Sequence, residues 1–250
     1  MFDPILEVTE NANTYTPLAP GDERIVSAGW VLWMGRGDEP GWNVAQRLRL
    51  DPDEIEAARA EIHLVLRARG RTACTWEVGS SAMPADLVER LVALGLVELE
   101  DEFAVGMALT EPMAAPSEEI EVRRAASQAD EEVAAEIAAV VFGGGRVARA
   151  FDPDSDVVSY LAYLQGRPVG RATGSFSEHG VSLFGGAVLP EGRGCGVYRA
   201  LVQARVQDAW ERGTPAAFTQ GGRLSRPILR RLGFRETCEI RMLLDAFDRS

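Results

Sequence analysis

The segment best suited to chemistry is Ala187-Val188-Leu189-Pro190-Glu191-Gly192-Arg193-Gly194-Cys195-Gly196-Val197-Tyr198-Arg199-Ala200-Leu201. A strand that stops at a proline, a tight glycine-rich loop and a helix that begins inside the glycines leave several N–H groups without partners. The positive end of the helix dipole points at the same place. A pyrophosphate fits such a cradle, and each hydrogen bond to a charged group of that kind contributes about 1.5–3 kcal/mol. Glycine lets the backbone approach without a Cβ in the way. A dinucleotide-binding fingerprint does not fit, because its third glycine, counted from Gly192, would fall on Val197. Nor does an acidic residue follow on a second strand, since Glu211 lies in the helix itself. The plain alternative is a tight strand–helix turn with no ligand.

What the chain lacks narrows the chemistry further. All 26 of its basic Lys+Arg residues are arginine. No phosphate loop of the GxxxxGK[ST] type can be written, and no lysine nucleophile or Schiff base exists. Two histidines, His63 and His179, and three cysteines, Cys74, Cys195 and Cys238, show no metal-ligand spacing and no disulfide framework, so no metal is expected. The net charge of −12 argues against nucleic acid or an anionic membrane as a partner. That charge is uneven: residues 191–250 hold 11 arginines against 7 acids, and the rest of the chain is strongly acidic. A basic C-terminal quarter suits a small anionic ligand, although surface arginines explain it equally well. No apolar run reaches the roughly 20 residues of a membrane span, and Met1-Phe2-Asp3-Pro4 has no basic flank, so a cytoplasmic protein is expected.

The elements that must position the loop can be read from periodicity and punctuation. Thr110 to Glu118, with Pro112 and Pro116 among small and polar residues, reads as a linker. Beyond it the pattern predicts a strand at 119–124 and a helix capped by Ser127 with Val133, Ile137, Val140 and Val141 inward. A three-strand meander follows at 157–164, 167–176 and 181–189. Then come a helix over 195–212, a strand at 216–219, a short helix opened by Ser225 and a closing strand near 237–244. The order predicts a mixed α/β (α+β) domain.

The first half ends in the same way. A helix over 53–69 with Ile55, Ala58, Ile62, Val65 and Leu66 on one face precedes a strand at 72–78 and a helix from Pro84. Leu91, Leu94 and Gly95 stand in register with Leu229, Leu232 and Gly233, and both glycines suit a left-handed helix stop. An internal duplication is the expected source, with independent recurrence of a helix–strand–helix motif as its competitor.

The run Arg193-Gly194-Cys195-Gly196-Val197-Tyr198, after a strand ending in Val188-Leu189-Pro190, resembles motif A of the GNAT superfamily of N-acetyltransferases, whose signature is [R/Q]-x-x-G-x-[G/A]. Leu232-Gly233-Phe234 resembles the family's closing "LGF", and residues 119–244 cover the family domain in the expected order. The resemblance implies a mixed sheet flanked by helices. It implies a GNAT N-acetyltransferase domain at 118–250 and a degenerate GNAT-like copy at 1–113, which has no glycine between Trp42 and Arg69. It also implies acetyl-CoA as donor and an amine, on a small molecule or a protein, as acceptor. Val188 and Leu189 would offer backbone groups to the pantetheine arm, one N–H polarising the thioester carbonyl. Arg193, Gly194, Cys195, Gly196, Val197 and Tyr198 would hold the pyrophosphate. Ser225 would touch the pantetheine or act as an ordinary N-cap.

The sequence departs from the family at three places. Tyr198 stands where the signature ends in Gly or Ala, Leu229 where many members carry a tyrosine acid, and Ser182 where some carry a glutamate base. The catalytic groups are therefore unassigned; a water chain, Glu178, Tyr160, Tyr163 and the terminal carboxylate are the conceivable participants. Two functional readings follow: direct attack of an amine on the thioester, with the acceptor against Gly185-Gly186, or a CoA-binding or partner-binding module without turnover. Cys195 reads as a spacer, Arg36-Gly37-Asp38 as a chance tripeptide, and Trp30, Trp33 and Trp42 as packing.

Overall fold

The computed structural model describes residues 3–37, 39–99, 103–113, 119–214 and 216–248. The linker core at 114–118, Asp38 and the terminal carboxylate therefore lie outside the described residues.

Helices α1 (Pro4–Glu10) and α2 (Ala12–Tyr15) open the chain. The first half continues with β1 (Glu23–Val26), β2 (Val31–Met34), β3 (Asn43–Gln46), α3 (Ile55–Arg67), β4 (Ala73–Gly79), α4 (Leu87–Ala93), β5 (Val97–Glu98) and β6 (Ala104–Leu109). The second half has β7 (Glu121–Arg124), α5 (Gln128–Phe142), β8 (Val157–Leu164), β9 (Arg167–Ser177) and β10 (Gly180–Val188). It closes with α6 (Val197–Glu211), β11 (Ala217–Gly221), α7 (Arg226–Arg231) and β12 (Arg235–Ala246).

The strands form one mixed sheet in the order β1-β2-β3-β4-β12-β6-β11-β10-β9-β8-β7, with β5 paired to β12 off this path. Two neighbouring pairs are parallel, β3 with β4 and β10 with β11. Each is reached from an antiparallel meander through a long helix, α3 or α6, so the halves repeat one plan. Their last strands are exchanged. β6, from the first half, lies against β11 of the second, and β12, from the second, lies against β4 of the first. β6 and β12 also pair with each other at the centre.

The expected repeat extends to dihedral detail. Leu94 and Leu232 are both C-cap residues with ψ near 1°, and Gly95 and Gly233 both have φ of +94°. Leu96 N–H closes on Leu91 O and Phe234 N–H on Leu229 O, both at 3.1 Å, the bond that ends a helix with a left-handed residue.

α6 packs on one face of the second-half sheet through Val197, Leu201, Val202 and Val206 against Tyr160, Ala162, Val169 and Leu183. α5 covers the other face, where Ala134 and Ile137 meet Leu161, Tyr163 and Ala187. The alternation of Tyr160, Leu161, Ala162 and Tyr163 between the two clusters is the period-two pattern of a strand buried on both sides. One expected core position fails. Val140 is 64% exposed, because the inward stripe of α5 runs through Glu131, Ala134, Ala135 and Ile137, with Glu131 buried against Arg149.

Candidate functional site

β10 carries the decisive distortion. Its register with β9 slips between Phe184 and Ala187, and Gly185 takes φ of +52°, a bulge that bends the strand. Its pairing with β11 is confined to Val181–Ala217 and Ser182–Phe218. Past that point Thr219 Oγ1 still donates to Leu183 O at 3.0 Å, and then the two strands part. A cavity of about 250 Å³ lies at the splay, lined by Leu183 to Gly186, Tyr198, Arg205, Thr219, Gln220, Ser225 and Phe142.

The strand ends at Val188, and Pro190–Gly192 forms one tight helical turn before the glycine loop. Gly194 and Gly196 have φ of +77° and +83°, values that L side chains rarely adopt. Gly196 is the N-cap of α6 and brings no side-chain acceptor. The backbone N–H groups of Gly194, Gly196, Val197, Tyr198 and Arg199 consequently have no backbone acceptor among the described residues. A Cβ at Gly194 would meet nothing within 4 Å, so this side of the loop is open. Free amides, a helix start and open space are what a pyrophosphate requires.

The structure sorts the sequence-derived residues. Gly194, Gly196, Val197 and Tyr198 present free N–H groups, whereas those of Arg193 and Cys195 close turns on Pro190 O and Gly192 O. Leu189 N–H donates to Val169 O at 2.8 Å, and Val188 O accepts from Arg193 Nε at 3.3 Å. Ser225 does not cap its helix: its backbone is helical and its hydroxyl donates to Gly222 O at 3.3 Å, at the cavity wall. The ring of Tyr198 turns aside from the loop and packs on Gly186, where an added Cβ would stand 2.8 Å from Cε2. Burial raises its phenol, while Arg205 and a hydrogen bond with Ser225 pull the other way.

Gly185 and Gly186 do line the cavity, but the room their missing side chains leave is filled. Tyr198 occupies it at Gly186, and the Arg171 guanidinium would collide with a Cβ at Gly185. The conceivable catalytic groups lie elsewhere. Tyr160 bonds Asp208, Tyr163 stacks under Arg123 at 4.1 Å, and Glu178 is exposed beside His179. Leu229 is wholly buried in the core. Cys195 is exposed in the loop. No group of metal-ligating side chains occurs among the described residues.

Sequence reasoning missed Arg205, Gln220 and Glu77. Arg205 sits on the buried stripe of α6 with Leu201, Val202, Val206 and Ala209, and an arginine on an apolar face was the available signal. Gln220 Nε2 donates to Glu77 Oε2 at 3.2 Å, joining the cavity wall to a buried carboxyl of β4. Burial pushes that carboxyl up to about 7. No local feature of the sequence announces this pairing between the two halves.

No family model and no curated protein matches this sequence. Solved structures do match. A GCN5-related N-acetyltransferase from Kribbella flavida is similar with a TM-score of 0.72 at 22% identity, over 90% of each chain. One from Sphaerobacter thermophilus is similar at 0.62 and 15% identity, over 89% of this chain and 82% of that one. A tandem GNAT protein from the clavulanic acid biosynthesis pathway is similar at 0.58 and 14% identity, over 97% and 87%. The chain has the fold of the GCN5-related N-acetyltransferases. Within that fold it takes a two-copy form, in which the copies exchange their last strands. No helix among the described residues is long and apolar enough to cross a membrane.

Proposed function

We propose that the protein transfers an acetyl group from acetyl-CoA to a primary amine, residues 118–250 being the active copy and 1–113 a degenerate one. A single observation carries this reading: five amides of the loop and first turn of α6 with no backbone acceptor among the described residues, beside a cavity at a strand splay. Bound acetyl-CoA supplies an activated thioester. Gly194, Gly196, Val197 and Tyr198 hold its pyrophosphate through their N–H groups, and the positive φ at both glycines aims them. The bulge at Gly185-Gly186 and the Ser225 hydroxyl line the space in which amine and thioester meet. The amine nitrogen bonds the acetyl carbonyl carbon as the C–S bond breaks, and the proton it loses passes through solvent to the departing thiolate. No carboxylate lines the cavity among the described residues, so water carries that proton.

Calorimetric titration with acetyl-CoA tests the cradle, with Gly196→Asp as control. Micromolar binding by the wild type, abolished by the aspartate, is expected. No binding by the wild type would remove the enzyme reading. The second reading, a CoA-binding module without turnover, is favoured by the buried Leu229 and Ser182 at the usual acid and base positions. It is separated by thiol release across a panel of amines, which the enzyme catalyses and the module does not.

A further inference from the structure

The cavity at the β10–β11 splay contains one charged side chain, Arg205, and the fold does not neutralise it. Arg205 is 1% exposed. Its Nε donates to Leu201 O at 2.9 Å, and Nη1 donates to Thr173 O at 2.8 Å and Phe184 O at 3.4 Å. Nη2 donates to none of the described residues. The phenols of Tyr198 and Tyr160 act on it electrostatically, and it repels the Arg171 guanidinium; no carboxylate is among its partners. Asp208, one turn further along α6, is taken by Tyr160 and by Arg124 at 2.6 Å. Burial lowers Arg205 to about 10, which still leaves it cationic at neutral pH. A second guanidinium flanks the bulge: Arg171 Nη1 donates to Gly185 O at 2.8 Å, and its Nε is buried without a partner.

A buried cation without a counter-ion is costly, and a protein retains one where a ligand completes it. The two N–H groups of Nη2 remain to make charge-assisted hydrogen bonds to a carboxylate. The rest of the wall that bears on this choice, Gly186, Thr219, Gln220 and Ser225, is uncharged. We propose that Arg205 is an anion subsite for the acceptor, which is an amine that also carries a carboxylate. The carboxylate pairs with Arg205 while the amino group attacks the thioester. The inference rests on the acetyltransferase reading above and names its substrate class.

The test compares matched acceptors by thiol release: glycine with methylamine, β-alanine with ethylamine and 4-aminobutyrate with propylamine. At least one acid is expected to exceed its amine in kcat/KM by about 10- to 100-fold, the worth of one hydrogen-bonded charge. Arg205→Met should collapse that ratio to near unity, and Arg205→Lys should restore part of it. Parity of acids and amines in the wild type would overturn the subsite while leaving the transferase. Taurine or 2-aminoethylphosphonate preferred over β-alanine would overturn the carboxylate assignment. If R205M does not fold, the wild-type ratios and R205K decide. If the wild type neither binds acetyl-CoA nor releases thiol, the transferase reading falls. The subsite is then judged by melting of the wild type with the same pairs: greater stabilisation by acids supports it, and equal stabilisation overturns it.

Discussion

Glu77 is where the fold predicts a pH dependence of unusual sign. It lies on β4, 8% exposed, and among the described residues its one side-chain hydrogen bond comes from Gln220. Burial raises its carboxyl from 4.5 to about 7, and the Gln220 bond opposes this only partly. At about 1.4 kcal/mol per pH unit, ionising it inside the protein costs about 3 kcal/mol of stability. The unfolded chain releases this proton near pH 4.5, whereas the folded chain keeps it until about 7. Between those values the native state binds more protons, so this contribution falls as pH rises and is fully lost above about 7. Glu77→Gln keeps the shape and an oxygen for Gln220 and removes the charge. Melting curves of both proteins from pH 5 to 8 should nearly coincide at the acid end. At pH 8 the variant should melt about 6–12 °C higher, at about 2–4 °C per kcal/mol for a chain of this length. Parallel curves across the range would show that Glu77 is not desolvated as described. A variant less stable at pH 8 would show that the carboxylate has a cationic partner.

Three further outcomes follow from the same geometry. Arg59→Met should destabilise by about 3 kcal/mol in denaturant melts, because it leaves the Asp245 carboxylate, now 2.7 Å from Arg59 Nη2, buried with only His63 at 2.8 Å. Burial alone would raise Asp245, yet the bonds from Arg59 and His63 outweigh it and hold the carboxyl below its ordinary value. That stability is present above about pH 4 and is lost as pH falls through the depressed value, so the variant should show a shallower acid limb. Fragments 1–113 and 118–250 should each fail to give a cooperative melt alone and regain one when mixed, since β12 covers β4 and β6 covers β11; a cooperative melt of either alone would refute the exchange. Gly186→Val should displace the Tyr198 ring and cut turnover at least tenfold with little change in acetyl-CoA affinity, and unchanged kcat/KM with the true amine would sink the placement of the acceptor.

The second half was legible because its signals are local. Gln165 and Gly166, at φ of +52° and +76°, make the turn that the sequence marks between two strands, and Ser127 accepts from Asp130 N–H at 3.2 Å as a cap should. The glycine-rich loop at 192–196 was legible for the same reason: Gly194 and Gly196 stand where φ is positive. Of the two readings of Ser225, cofactor contact or N-cap, the cap fails because the chain is already helical at that residue. The first meander escaped notice because its strands are four residues each and two of them, β2 and β3, are almost wholly buried, which removes the alternation that marks a strand. Strand exchange could not be read at all. Nothing in β6 or β12 distinguishes a partner in its own half from one in the other half.

The exchange gives the first half a structural role beside the second. Its strand–helix connection has no glycine, and its amides next to β3 are taken: Arg47 N–H donates to Asn11 Oδ1, Arg49 N–H to Gly29 O and Leu50 N–H to Met83 O. The end of α1 occupies the ground beyond β3 and β4, where the buried Glu10 carboxylate accepts from Ser80 Oγ at 3.0 Å and Ser81 N–H at 3.0 Å. The same residue's carbonyl accepts from Gln220 Nε2 at 3.2 Å, so Glu10 fixes a side chain in the wall of the β10–β11 splay. Gln220 is thus held from two sides, by Glu10 and by Glu77, both in the first half. The first half supplies β6 to the sheet of the second and both groups that hold Gln220. On this account the first half acts on the cavity through Gln220 rather than by lining it, and under the proposed function substitutions at Glu10 or Glu77 should alter acceptor KM before they alter acetyl-CoA affinity.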